Sequence, residues 1–118
     1  MDGLGTVESK FCDLVWENAP LGTAELVKLC EREFNWKRTT TYTVLKRMIN
    51  RGLFINDNKT VRVAITRDDF YSERSAQYVN EQFGGSLPRF IAAFTSKKKL
   101  SAEEADEIRR MIDKLTEA

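Results

Sequence analysis

Residues 37–51 read KRTTTYTVLKRMINR, and this stretch decides the fold. An apolar stripe runs along this stretch at helical spacing, formed by Thr41, Val44, Leu45, Met48 and Ile49. Hydroxyl groups, one phenol and basic side chains lie between these positions, and the stretch contains no Asp or Glu. The pattern predicts a helix that docks one face on a core and presents the other to a negatively charged surface rich in hydrogen-bond acceptors. The major groove of double-stranded DNA is such a surface.

The positive charge of the chain is concentrated around this helix. Residues 37–67 contain eight Lys or Arg residues and a single acid, Asp57, although the whole 118-residue chain has a net charge of only +1. A basic block within a near-neutral globular chain is typical of a nucleic-acid-binding surface. A solvated basic face without a partner is the alternative that the charge pattern leaves open.

Two further helices are predicted before this stretch. The first is expected to begin at Thr6, acting as N-cap, and to run to about Glu17, with Val7 among the residues that face the core. Thr23 is expected to cap the second helix. Gly52 suits the left-handed backbone that ends many helices, so we expect the third helix to stop there.

A β-hairpin is predicted after the third helix. Residues 53–56 and 60–66 are strand candidates, and the turn-forming residues 57–59 separate them. Three helices followed by a hairpin, with a basic third helix, is the order of elements in a winged helix-turn-helix domain. The sequence therefore predicts a mostly α (α+β) fold whose winged-helix domain spans residues 1–67.

Residues 68–118 are predicted to form a helical dimerisation region. Its three expected helices have narrow apolar stripes, and Ser101 with Glu104 has the spacing of a capping box. Self-association would bury these stripes, which have little to pack against in a monomer. Packing of the helices back onto the first domain is the alternative. The residues expected at the dimer interface are Tyr71, Tyr78, Leu87, Phe90, Ile91, Phe94, Ile108, Met111, Ile112 and Leu115.

The cysteine and histidine content restricts the chemistry of the chain. There is no histidine, and Cys12 and Cys30 lie among apolar helical positions without zinc-site spacing. We expect both to be buried in a reducing cytoplasm, and a redox role for the pair stays open. No phosphate-binding glycine motif or nucleophile motif occurs. We therefore expect that the protein binds no metal or cofactor and is not an enzyme. No signal peptide or membrane-spanning run is visible, so a cytoplasmic protein is expected.

Several motifs occur in an order that resembles a known family. They are LVWE at residues 14–17, TAELV at 23–27, WxxxTxxTVLxRM at 36–48, RGL at 51–53, and FGGSL at 83–87 followed by LSxEE at 100–104. Together they resemble the BlaI/MecI/CopY family, the penicillinase-repressor type of bacterial winged-helix transcriptional regulators. The similarity extends from Leu4 to Leu115.

The resemblance implies a homodimeric repressor that binds an inverted repeat in a promoter. It places Thr40, Thr43 and Arg47 on positions of the recognition helix that match the family pattern. Resistance regulators of the family are cut by a protease at an Asn-Phe bond, and this chain has no Asn-Phe dipeptide. Copper-responsive members carry paired CxC motifs, and this chain has no cysteine after Cys30. The resemblance therefore does not extend to either route of induction.

The residues expected to contact double-stranded DNA lie on the third helix and on the hairpin. Threonine hydroxyls can bond phosphates or base edges, and Arg47 can reach a guanine. Two structural alternatives remain, in which Tyr42 packs against the hairpin and Arg47 pairs with an acid of the first or second helix. A winged-helix module that binds proteins is the alternative function. The expected DNA-binding residues are Lys37, Arg38, Thr39, Thr40, Tyr42, Thr43, Lys46, Arg47, Lys59 and Arg62.

Overall fold

The computed structural model describes residues 3–117 and divides the chain into two compact units, with the division between Ser75 and Ala76. It confirms the predicted mostly α winged helix-turn-helix, because three helices precede a β-hairpin that belongs to a small antiparallel sheet. The elements of the described part are α1 (Thr6–Asn18), β1 (Leu21–Gly22), α2 (Thr23–Phe34), α3 (Arg38–Asn50), β2 (Phe54–Asp57), β3 (Thr60–Val63), α4 (Arg67–Phe83), α5 (Leu87–Thr95) and α6 (Ala102–Thr116).

The core of the first unit forms where α1, α2 and α3 meet the sheet. Each helix contributes side chains at helical spacing, and the ring of Trp36 stacks on that of Phe11 with centroids 5.8 Å apart. The predicted stripe of α3 is buried at Thr41, Val44, Leu45 and Met48. The other buried core residues are Phe11, Cys12, Val15, Leu21, Leu26, Cys30, Leu53, Phe54, Val61 and Phe70.

The hairpin is confirmed, and a third strand joins it. The second strand of the hairpin ends at Val63 instead of residue 66, and Asp57 belongs to the first strand instead of the turn. β3 lies between β1 and β2, and Leu21 of the short β1 pairs with Val61. The hairpin turn consists of Asn58 and Lys59, with φ angles of 50° and 64°. A two-residue turn with both φ angles positive has the twist that antiparallel strands require. We call this hairpin the wing.

The N-cap predictions for α1 and α2 are wrong by one residue. Gly5 and Gly22 are the N-caps, and Thr6 and Thr23 are the first helical residues. At α1, the carboxylate of Glu8 accepts the N–H of Gly5 at 3.3 Å, so a side chain within the helix satisfies the cap. At α2, strand pairing holds the backbone extended as far as Gly22.

Val7 is exposed, contrary to the prediction that it faces the core. Its side chain is 56% exposed although it lies one turn before Phe11 on the same side of α1. The buried residues of α1 begin only at Phe11, because the core covers the helix from its second turn onwards.

Gly52 ends α3 as predicted. It adopts a φ of 85°, and its N–H donates to the carbonyl of Ile49 at 2.9 Å. The N–H of Leu53 donates to the carbonyl of Met48 at 3.1 Å, which completes a Schellman motif. Leu53 then enters the core, so the motif leads the chain directly into the wing.

The first two turns of α4 belong to the first unit, beyond the boundary predicted at residue 67. Phe70 is buried, and its ring lies 5.9 Å from that of Trp16. The hydroxyl of Tyr71 contacts that of Ser9 at 3.2 Å, and Arg67 pairs with Asp13 at 2.9 Å. Tyr71 therefore contacts other residues of its own chain, and its place at a dimer interface stays a prediction.

The second unit contains an aromatic cluster but no buried residue among residues 76–117. Tyr78, Phe83, Phe90 and Phe94 form successive ring contacts, with centroids 5.5 to 6.2 Å apart. One hydrogen bond of the capping box predicted at the start of α6 is confirmed. The hydroxyl of Ser101 accepts the backbone N–H of Glu104 at 3.1 Å. The unit thus leaves much of its apolar surface open to solvent.

Candidate nucleic-acid interface

The exposed face of α3 is polar and contains no carboxylate of its own. Because the buried face is fixed by four core residues, the remaining side chains point away from the core. Thr43 uses its hydroxyl to donate to the carbonyl of Thr39 at 2.9 Å, which leaves its lone pairs and its methyl group available to a ligand. The exposed residues of this face, together with the N-cap residue Lys37, are Lys37, Arg38, Thr39, Thr40, Thr43, Lys46 and Arg47.

Tyr42 lies at the edge of this face and joins it to α2 and to the wing. A side-chain hydrogen bond with Thr23 lowers the pKa of Tyr42 below its usual value, and the positive charges of Arg38 and Lys59 lower it further. The guanidinium of Arg38 lies 5.5 Å from the centre of the Tyr42 ring. The half-buried phenol is therefore held between the start of α2 and the first turn of α3.

The wing turn lies close to the same end of α3. The N–H of Thr23 donates to the carbonyl of Lys59 at 3.0 Å, so the turn is tied to the start of α2. Lys59 is exposed, and its charge acts on Tyr42. Arg62 differs from Lys59, because Asp57 of the neighbouring strand pairs with it at 3.1 Å and offsets its charge. The structure thus places Arg38 against the ring of Tyr42, within the electrostatic reach of Lys59, and leaves Arg62 in an ion pair.

Arg47 is paired with an acid of the first helix, one of the alternatives open at the level of sequence. Its Nη1 lies 2.9 Å from Oε2 of Glu8. The hydrogen bond from Arg47 is the main cause that lowers the pKa of Glu8, and the bond from the Gly5 N–H adds to it. More than half of the Arg47 side chain, 53%, stays exposed, whereas 22% of Glu8 does.

Glu8 and Thr23 are the two site residues that sequence reasoning missed. The sequence leaves open that an acid of α1 or α2 pairs with Arg47, but it does not show which of these acids comes near α3. Thr23 was assigned to a helix cap, whereas its side chain contacts Tyr42. The available signal for Glu8 is its position near the start of α1, where a carboxylate can satisfy a free backbone N–H.

Metal and thiol chemistry has little support in the described part of the chain. Among residues 3–117, no three acidic or cysteine side chains lie close enough together to hold a metal ion. Both cysteines are free and buried, and burial raises the pKa of Cys12 to about 12 and raises that of Cys30 as well. Thiols in this state are poor nucleophiles. Within the same residues, no helix is long and apolar enough to cross a membrane.

A winged helix-turn-helix with a basic, carboxylate-free third helix is the architecture of a DNA-binding transcriptional regulator. Comparison with known proteins supports this class. The family model described as "Penicillinase repressor" matches residues 4–114. The penicillinase repressor of Bacillus licheniformis is 24% identical over 115 residues, covering 93% of this chain and 89% of the relative. The methicillin resistance regulatory protein MecI of Staphylococcus aureus (strain Mu50) is 22% identical over 116 residues, covering 94% of each chain.

The chain belongs to the penicillinase repressor family, whose members are DNA-binding transcriptional repressors of bacteria and not enzymes. The match covers both units, so the family assignment extends to the second unit as well as to the winged helix.

The Glu8–Arg47 pair makes stability depend on pH. Because the pKa of Glu8 is lowered in the folded state, its contribution is present in full above the unfolded-state value, near 4.5, and is lost as pH falls through the folded-state value. We expect Glu8→Gln to lower the free energy of unfolding by up to about 1 kcal/mol at pH 7. Urea unfolding of both proteins between pH 7 and pH 3 should show this difference shrinking at acid pH. A difference that is constant over this range would contradict the pairing.

Proposed function

We propose that the protein is a homodimeric repressor in which each protomer places the N-terminal half of α3 in the major groove of one half of an inverted-repeat operator. The observation that carries the proposal is the composition of the exposed face of α3. This face offers three hydroxyls and four cationic side chains and contains no acid. Such a surface matches the acceptor-rich edges of the bases and the phosphates that flank them.

The side chains of α3 divide between two tasks. Thr39, Thr40 and Thr43 are short, so the backbone of the helix can come close to the base edges, where hydroxyl and methyl groups distinguish the base pairs. The cationic residues Lys37 and Lys46 are long and exposed, which suits contacts to phosphates. Phosphate contacts position the helix, and base contacts select the sequence.

The wing adds a phosphate contact beside the first turn of α3. The charge of Lys59 acts on Tyr42, whose ring also lies against Arg38, so two cations and a phenol share this region of the surface. A phosphate oxygen is the acceptor that such a group fits best. Asp57 lowers the attraction of Arg62 for DNA, and we therefore rank Lys59 above Arg62 as a contact.

The exposed apolar surface of the second unit supports self-association. Seven large apolar side chains between residues 78 and 115 are 40 to 80% exposed. Full burial of one such side chain contributes about 1.5–3 kcal/mol, so their joint burial would contribute several kcal/mol. They are Tyr78, Leu87, Ile91, Phe94, Met111, Ile112 and Leu115.

A groove between α5 and α6 supports the same proposal. It has a volume of about 210 Å³, and Phe90 and Ile108 are among its lining residues. In a two-fold interface, exposed apolar side chains of one protomer would enter this groove of the other, since both protomers use the same surface. A two-fold dimer would set its half-sites about one helical turn, roughly 34 Å, apart.

Thr43→Ala and Arg47→Ala are expected to weaken binding to the operator while each variant still folds. Arg47→Ala also removes the ion pair with Glu8, which lowers the free energy of unfolding by up to about 1 kcal/mol. The DNA for this test is a duplex that the wild-type protein selects from a random library. Loss of an arginine–guanine contact corresponds to roughly 5- to 150-fold in affinity. Loss of the Thr43 hydroxyl corresponds to roughly three- to tenfold. Fluorescence anisotropy across a salt series measures both.

The matched control is Arg32→Ala, which removes an arginine from an exposed ion pair of α2. It should leave the affinity within about twofold of the wild type, because Arg32 lies outside the proposed contact face. Unchanged affinity in both α3 variants would refute the assignment of α3. No binding to any DNA at low salt would favour a protein partner.

Ile112→Glu together with Leu115→Glu is expected to break the dimer. Both side chains are at least half exposed, so their replacement removes little packing within the chain while it places two charges in the proposed interface. Sedimentation velocity should show a monomer, and affinity for the full operator should fall because each monomer holds one half-site.

The control for this variant is Arg110→Glu, which places a new acid on an exposed position of the same helix. It should sediment like the wild type. Circular dichroism verifies that the helices of each variant form. A double variant that still sediments as a dimer would rule out the role given to α6.

A further inference from the structure

Glu8 is an acid at the edge of a surface that is otherwise basic. It lies in the first turn of α1, and its carboxylate contacts Arg47 of α3. An acid at this place repels phosphates, so it lowers the attraction of the surface for any DNA. Its presence is therefore not explained by affinity alone.

The Glu8 carboxylate is fixed at both oxygens. Oε2 accepts from Arg47 at 2.9 Å, and Oε1 accepts from the backbone N–H of Gly5 at 3.3 Å. One turn further along α1, the side chains of Phe11 and Cys12 are completely buried in the core. The carboxylate is thus attached to a rigid part of the first unit, and the guanidinium that it holds loses much of its freedom to rotate.

Arg47 keeps most of its hydrogen-bonding capacity in this pair. A guanidinium has five N–H donors, and one bond to Glu8 leaves the others to the exposed side. The pair is nearly neutral, so Arg47 has little attraction for phosphate as a charge. Lys46, the residue before it, has no ion pair among residues 3–117. A neutralised but oriented guanidinium suits a directional contact with the O6 and N7 acceptors of guanine.

We propose that Glu8 is a positioning residue that holds the Arg47 guanidinium toward a base edge and thereby raises discrimination between the operator and other DNA. The inference rests on the proposed function, because it needs α3 to enter the major groove. Glu8 itself touches no base in this account. It acts through Arg47 and through the negative charge that weakens binding to DNA of any sequence.

Four proteins test this inference: the wild type, Glu8→Gln, Arg47→Ala and the double variant. Affinity is measured for the duplex selected by the wild type and for a scrambled duplex of the same composition. We expect Glu8→Gln to bind scrambled DNA about two- to threefold more tightly, because one negative charge is lost. The ratio of the two affinities should fall by about tenfold. In the Arg47→Ala background, Glu8→Gln should leave this ratio unchanged, because no guanidinium remains to be oriented.

Glu8→Asp separates position from charge. This variant keeps the carboxylate, but its side chain is one methylene shorter and reaches Arg47 less well. The ratio of the affinities for the selected and the scrambled duplex should therefore fall, without tighter binding to the scrambled duplex. The matched control is Glu33→Gln, which removes the acid of the exposed Arg32–Glu33 pair of α2. It should change the affinity for both duplexes by the same factor.

Two results overturn the inference. One is that Glu8→Gln changes both affinities by the same factor, and the other is that the ratio falls equally with and without Arg47. In either case the wild type still prefers its selected duplex, so the proposed function stands. A wild-type protein that selects no sequence from the library overturns the proposed function and this inference with it.

Discussion

The rest of the structure depends on the burial of one face of α3 against α1, α2 and the sheet. Thr41, Val44, Leu45 and Met48 fix the rotation of the helix, because a turn about its axis would expose apolar surface and bury charge. That rotation decides which residues face outwards. It gives the outer face its hydroxyls and cations, and it directs Arg47 toward α1. The chemistry offered to DNA is therefore a consequence of how the core packs.

α1 connects the outer face of α3 with the start of α4. Near its N-terminus, Glu8 holds Arg47, and the next residue, Ser9, contacts Tyr71 of α4. Asp13, just over one turn after Glu8, pairs with Arg67 of α4. α4 then continues into the second unit, whose apolar surface is open. In the proposed function, α3 reads the DNA sequence and the apolar surface of the second unit forms the dimer. α1 contacts both α3 and the start of α4, the helix that continues into the second unit.

The features that local sequence decides were predictable, and those that depend on distant contacts were not. The helical spacing of apolar residues in α3 and the positions of its basic residues are contained in residues 37–51. Its buried and exposed faces could therefore be derived from that stretch alone. The cap of α2 could not, because its backbone is held by a sheet that includes residues 60 and 61. The partner of Arg47 lies 39 residues away, so its identity depends on how α1 and α3 cross. The contact between Ser9 and Tyr71 joins residues 62 positions apart, so it could not be derived from the sequence either.

The most direct test of the claim that α3 enters the major groove is cleavage of bound DNA by an iron chelate on a cysteine placed at Asn50, the exposed last residue of α3. The native cysteines are buried and have raised pKa values, so the chelate attaches at the new thiol. The account predicts two clusters of cuts on the selected duplex, about one helical turn apart. Cuts spread evenly along the DNA, or none while the protein stays bound, would contradict it.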